Sequence, residues 1–539
     1  MLTPWLIALL GLAYVGVLFV VAHLGDRMAA EARGPALRPW VYSLSLAVHC
    51  TSWAFYGTGG QSARLGWWLP PTYVGTILLF LLGARFLEKM IRLGRKQKIT
   101  SIADFLAARY GRDPRVAVLV TVVAVFGLTP YIALQLKAID ISFVALAGLE
   151  GAAPGSQPIV DTALYVAMAL ATFAILFGTR HADATEHHPG MMLALAFESI
   201  VKLCAFLAVG AYITFGLFDG PADLAARVAA DPAVRALREA ARPAGHYLAL
   251  TVLGVLAIFC LPRQFQVGVV ENVNENHVAK AIWLFPLYML AINVFVLPIT
   301  VAGLVHFPAG QVDADTFVLT LPMAHGAEAL ALFVFLGGLS AATGMVIVET
   351  IALSTMICND LVMPVLLRSR WFGLAQRADL TKALLGIRRG TIIVIVLLGY
   401  LYYRLIGETY ALVTIGLVSF VAAAQFAPAM VAGMFWKGGT RAGAFAGLLT
   451  GFAIWTYTLL LPSFARSGWL PLSFIEAGPF GIGLLRPLAL FGLSGLDNIT
   501  HALFWSLLAN AGAYVAVSLL GTPGERERAL AVLFVDAFG

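Results

Sequence analysis

Apolar residues in this chain arrive in long unbroken runs, with polar residues gathered in the stretches between them. A hydrocarbon core of about 30 Å is crossed by roughly 20 such residues in a helix. Runs of that length predict thirteen spans, at about 4–22, 39–58, 70–92, 116–147, 160–178, 190–217, 246–262, 281–305, 327–358, 390–406, 409–435, 441–461 and 498–520. They are numbered 1 to 13 below. Regular helix is the expected form, because unpaired backbone groups cannot face lipid. Spans 4 and 9 are long enough to tilt, kink or project beyond the membrane. Span 1 has no basic residue before it and no small-residue cleavage site, so it reads as a retained helix. The longest intervening segments are 216–245, expected to hold a short surface helix, and 462–497, rich in Gly, Pro and Leu.

Composition excludes the alternatives to a polytopic membrane protein. Hydrophobic residues make up 60% of the 539 and charged residues 12%, and the mean hydropathy is +0.87. Soluble domains are about 25% charged, so a nucleic-acid binder, a disordered chain and a disulfide scaffold are all excluded. The net charge of +6 reports loop orientation instead. Of 35 Lys and Arg, 25 fall in the loops after odd-numbered spans and the C-terminal tail, 8 on the opposite side, and Lys137 and Lys202 within spans. That asymmetry predicts an external N-terminus and a cytoplasmic C-terminus. Cys50, Cys204, Cys260 and Cys358 have no CxxC spacing and read as small buried hydrophobes. His181, His187 and His188 lack the spacing of a metal site.

Several motifs resemble the sodium:solute symporter family. They are Ser101-Ile-Ala-Asp-Phe-Leu-Ala-Ala-Arg-Tyr-Gly111 after span 3, Pro428-Ala-Met-Val-Ala-Gly-Met-Phe-Trp-Lys437 running on to Gly447, and Gly338-Leu-Ser-Ala-Ala-Thr-Gly-Met-Val346 in span 9. A closer resemblance is to the transporter-like membrane half of CbrA-type sensor histidine kinases. It is carried by Cys50-Thr-Ser-Trp-Ala-Phe-Tyr-Gly57, Tyr131-Ile-Ala-Leu-Gln-Leu-Lys-Ala-Ile139, Glu198-Ser-Ile-Val-Lys202, Leu261-Pro-Arg-Gln-Phe265 and Ala341-Ala-Thr-Gly-Met-Val-Ile-Val348.

The resemblance implies an all-α membrane protein with a LeuT-like core of two inverted five-helix repeats (spans 2–6 and 7–11) inside about thirteen transmembrane helices. Residues 1–38 would hold span 1 and a loop, 39–435 the core, and 436–520 two peripheral spans. Residues 521–539 would begin a cytoplasmic linker to signalling modules. No phosphoacceptor-His box, nucleotide-binding Gly motif or receiver Asp cluster occurs in the sequence, so no enzyme activity and no cofactor are expected. The implied setting is a bacterial cytoplasmic membrane. The implied partners are the bilayer, the signalling modules and a small amino-acid-like solute such as histidine.

Candidate chemistry clusters where the apolar runs are interrupted. Span 2 carries Cys50-Thr51-Ser52 ahead of Gly57, Gly59 and Gly60, and span 7 carries Gly254 and Pro262. Such breaks free backbone groups at depth to bind a zwitterion or an ion. Thr51, Ser52, Trp53 and Tyr56, with Tyr131 and Gln135 one turn apart on span 4, are the candidate solute contacts. The tyrosines also suit interfacial anchoring.

For sodium, the resemblance implies a seat between the carbonyls of Ala47 and Cys50 and span 9 at Ala341, Gly344 and Met345. The two hydroxyl positions fall on Gly344 and Met345, which offer no hard oxygen. Thr343 is adjacent but would need a local rotation. Proton rather than sodium coupling is therefore expected, with His49 and Glu349 as candidate carriers. A structural imidazole at His49, and pairing of Glu349 with another helix, stand beside that reading. Glu198/Lys202 and Lys137/Asp140 have the spacing of self-neutralising pairs. A solute receptor that binds without transporting is the alternative function.

Overall fold

Water is absent from the bilayer interior, so each backbone amide there needs a partner within the chain. A computed structural model describes residues 3–31, 34–148, 162–178, 187–231, 234–235, 244–308, 310–368, 380–406 and 411–538. Among the described residues every regular element is helical. Nine helices among the described residues are long and apolar enough to cross a membrane: Pro4–Ala30, Pro114–Ala147, Pro189–Leu217, Glu275–His306, Glu328–Arg368, Thr381–Leu405, Leu412–Phe435, Arg441–Arg466 and Asn498–Leu520. They coincide with spans 1, 4, 6 and 8 to 13. Span 7 is a bent pair, Ala244–Cys260 and Pro262–Val270, with 55° between its halves. Span 5 is the helix Thr162–Gly178, and span 3 the successive helices Pro71–Leu82 and Ala84–Lys96.

Span 2 is interrupted most. Helix Arg38–Ser45 tightens into a 3-10 turn at Leu46–His49, leaves helical geometry at Cys50, and resumes as a π-turn at Trp53–Gly57 and a helix at Thr58–Leu65. In span 7 the interruption is Leu261, held extended (φ −67°, ψ 125°), with Pro262 opening the next helix. Proline there has no N–H to leave unpaired. The two interruptions meet, since Gln264 Nε2 donates to the Leu46 carbonyl at 3.2 Å.

Glycine sets the closest helix contacts. A Cβ on Gly75 of span 3 would lie 2.0 Å from the Thr251 carbonyl oxygen, and one on Gly254 of span 7 would lie 2.1 Å from that of Thr72. These two helices touch backbone to backbone, as small residues allow in lipid. Spans 12 and 13 pack through Gly443, Gly447 and Gly451, each of which faces Asn510, Tyr514 or Ser518.

Three described helices lie outside both the predicted runs and the two long segments between them. Ala314–Ala324 is a short apolar segment between spans 8 and 9. Ile102–Arg109 is capped by Ser101, whose Oγ accepts the Asp104 N–H, while the Asp104 carboxylate accepts the Thr100 N–H. Glu525–Val535 is a terminal helix whose Phe534 is buried against Phe105. Residues 221–230 form a helix in the first long segment, and short turns fill the second between 473 and 492.

Candidate functional site

At the interruption of span 2 the backbone turns its carbonyls out of the helical ladder. Cys50 N–H donates back to Ala47 O at 3.0 Å, and the remaining capacity of Ala47 O and Cys50 O is taken by one cation. Lys202 Nζ, from span 6, donates to both, at 2.6 and 2.8 Å. Glu198 balances the charge of Lys202 from one turn away, but their hydrogen bonds go elsewhere. The lysine serves span 2, while Glu198 Oε1 accepts from Thr343 Oγ1 at 2.6 Å. A Cβ on Gly344 would lie 2.4 Å from Glu198 Oε2, so Gly344 makes room for the carboxylate. Ala341 and Met345 are buried in the same helix. Of the residues expected to seat sodium, Ala47 and Cys50 are thus engaged by a lysine, and Thr343 and Gly344 adjoin a glutamate of the chain itself.

Immediately after the break, span 2 is tied to span 4. Thr51 Oγ1 and Tyr131 OH are 2.9 Å apart. Ser52 Oγ and its backbone N–H both donate to Gln135 Oε1, at 2.6 and 3.2 Å. The orientation of Gln135 is fixed by its Nε2, which donates to Tyr131 O. Trp53 and Tyr131 then close an aromatic group around Phe420 of span 11, with centroid separations of 5.0 and 5.7 Å to that ring. Five of the six predicted solute contacts are therefore brought together. Tyr56 is not among them, because it points at Gly338 of span 9 and lines a small pocket with Phe55 and Asp315.

A charged residue missed by the sequence reading completes the group. Arg263, from the second half of span 7, lies with its guanidinium carbon 4.4 Å from the centroid of the Tyr131 ring. Its Nη1 donates to Glu349 Oε2 at 2.9 Å, and both side chains are fully buried. Among the described residues Arg263 Nε and Nη2, Glu349 Oε1 and Trp53 Nε1 have no hydrogen-bond partner. Buried polar groups are ordinarily satisfied, so this pair still has capacity to accept a polar molecule. Arg263 had been counted as loop charge. The signal against that count is the apolar run resuming at Phe265 and continuing to Val270.

The two predicted proton carriers separate. Glu349 is paired with Arg263. His49 packs among Tyr73, Phe285 and Phe420, with Nε2 3.5 Å from Thr76 Oγ1 and Nδ1 unpartnered. Lys137 and Asp140 lie on span 4, where Asp140 accepts from Tyr403 OH at 2.8 Å.

A cavity of about 620 Å³ lies beside the second half of span 2, lined by Gln61, Arg64, His246, Leu417, Arg466 and Asp497 among others. Leu417 is one turn along span 11 from Phe420. Among the described residues no three His, Cys, Asp or Glu are grouped to hold a metal. His188 pairs with Glu271 at 2.8 Å, and His181 lies outside the described residues. Cys50, Cys260 and Cys358 are buried as expected of small hydrophobes, but Cys204 is exposed.

Comparison with known proteins finds the same fold in a symporter. The chain has the fold of a Na⁺-coupled sialic acid symporter solved in a substrate-bound outward-open state. The TM-score is 0.65 over 98% of this chain and 99% of that one, at 13% identity. That symporter is a LeuT-fold protein. An uncharacterized symporter of Bacillus subtilis strain 168, YhjB, is 23% identical over 324 residues, which is 57% of this chain. The matched region spans 62% of the length of that relative. No family model matches the chain.

Proposed function

We propose that the chain is a secondary-active importer of a small amino-acid-like zwitterion in a bacterial cytoplasmic membrane, driven by protons rather than sodium. The observation that carries the reading is Arg263. A buried guanidinium with two free nitrogens sits beside a carboxylate with one free oxygen, at the meeting point of two interrupted helices. A solute carboxylate complements the first and a solute ammonium the second, and charge-assisted bonds of this kind are the strong ones. Trp53, Tyr131 and Phe420 offer aromatic faces for an apolar or heteroaromatic side chain, which suits histidine as the first solute to try. The likeness to symporters supports carriage across the membrane.

The test is counterflow. Purified chain in liposomes preloaded with unlabelled histidine is expected to accumulate labelled histidine transiently, and Arg263→Gln to abolish this. Binding without exchange would overturn transport in favour of a receptor. That second reading is favoured by the terminal helix, held on the core by Lys89 Nζ, which donates to Val535 O at 2.7 Å. In it, the chain senses solute for signalling modules of a histidine kinase.

A further inference from the structure

Two backbone carbonyls freed by a helix break, with a carboxylate and a hydroxyl close by, make an oxygen-lined seat suited to a hard cation. Here that seat is formed by Ala47 O and Cys50 O, with Glu198 and Thr343 on the helices behind it. We propose that Lys202 is the protein's resident cation. Its ammonium fills the place that an exchangeable inorganic cation would otherwise take. The proposal goes beyond the transport reading and stands without it.

Three observations support the assignment. Both contacts are short and made by one Nζ, so the ammonium sits between the two oxygens as an inorganic ion would. Lys202 is 2% exposed, and a buried charge persists only where it is paired and hydrogen-bonded. The glycine at 344 is what lets Glu198 enter this region, since any larger residue there would collide with its carboxylate.

Charge reaches the ammonium from Glu198 on its own helix and Cys50 on span 2, and the ammonium shares with Arg263 of span 7 an influence on His49. Of these Glu198 is the anion that balances it, and Arg263 is balanced by Glu349.

The experiment uses the full chain in nanodiscs, titrated with NaCl against choline chloride up to about 0.15 M, physiological ionic strength. Wild type is expected to show no sodium-dependent shift in Tm. Lys202→Ser, which removes the ammonium and leaves the oxygens, is expected to gain a saturable upward shift of several degrees, since a ligand bound only by the folded state stabilises it. A saturable sodium shift in wild type, or a folded Lys202→Ser chain indifferent to sodium, overturns the resident cation.

Lys202→Arg keeps a cation in the seat and is expected to stay as indifferent to sodium as wild type. A saturable sodium shift in Lys202→Arg overturns the assignment. Should Lys202→Ser not fold, the wild-type sodium titration and Lys202→Arg decide the matter. Failure of counterflow in wild type would overturn the transport reading alone, because the sodium titration reads the folded protein and not its transport.

Discussion

Arg263 Nη1 donates to Glu349 Oε2 across 2.9 Å, joining the bend of span 7 to the middle of span 9 with both side chains fully buried. Removing one member strands the other charge. Arg263→Met is expected to destabilise the chain by about 3–5 kcal/mol, and Arg263→Met with Glu349→Met to recover most of that loss. If the pair also binds solute, the double variant regains thermal stability without regaining histidine binding. Thermal denaturation and equilibrium binding on the same nanodisc samples separate the two effects. Recovery of both would remove the pair from solute recognition.

Ser52 depends on Gln135 for both its hydroxyl and its backbone N–H. Gln135→Leu leaves these donors buried without an acceptor, at a cost of about 1–3 kcal/mol. Ser52→Ala alone removes one donor and costs less. A double-mutant cycle by denaturation is expected to give a coupling of about 0.5–3 kcal/mol, and a coupling near zero would show that the bond does not hold the break.

The crossing of spans 3 and 7 tolerates no side chain at Gly254. The atom a Cβ would meet is the Thr72 carbonyl oxygen at 2.1 Å, which is backbone and cannot rotate away. Gly254→Val is expected to abolish the monodisperse peak in size-exclusion chromatography. Gly245→Ala is the control on the same helix, since a Cβ there meets nothing within 4 Å. It is expected to elute as wild type does.

Glu271, in the turn after span 7, gives a pH signature. Burial pushes its carboxyl up, but His188, through its charge and its ring and backbone N–H groups, and Gln266 together bring it below the ordinary carboxylate value. A carboxylate lowered on folding adds stability that is complete above its unfolded pKa of about 4.3 and is lost as pH falls through the folded value. Wild-type Tm is expected to fall more steeply below about pH 4.3 than that of Glu271→Gln. Parallel profiles would show that this ion pair adds no net stability.

Much of the architecture was legible because lipid imposes a length: an apolar run of the right size has few fates besides crossing. The two interruptions were legible for a related reason, since Pro262 and the Cys50-Thr51-Ser52 stretch have no place in an unbroken helix. Thr51, Ser52, Trp53, Tyr131 and Gln135 followed from the spacing of polar residues on otherwise apolar faces. Arg263 escaped because a charge at the end of a hydrophobic run looks like a loop residue until the run is seen to resume. Lys202 escaped for a deeper reason. Its acceptors are backbone carbonyls, which every residue carries, so nothing at Ala47 or Cys50 marks them in sequence. Tyr56 was grouped with Trp53 by proximity, but the π-turn between them sends it towards Gly338.

Lys89 Nζ donates at once to Met434 O, at the end of span 11, and to Val535 O, in the last turn of the terminal helix. Arg109, on the helix that follows span 3, holds Gly433 O and Trp436 O beside it. The terminal helix is thus latched across a seam, with spans 3 and 11 as the two jambs. Sliding one past the other would cost the lysine one of its two carbonyls.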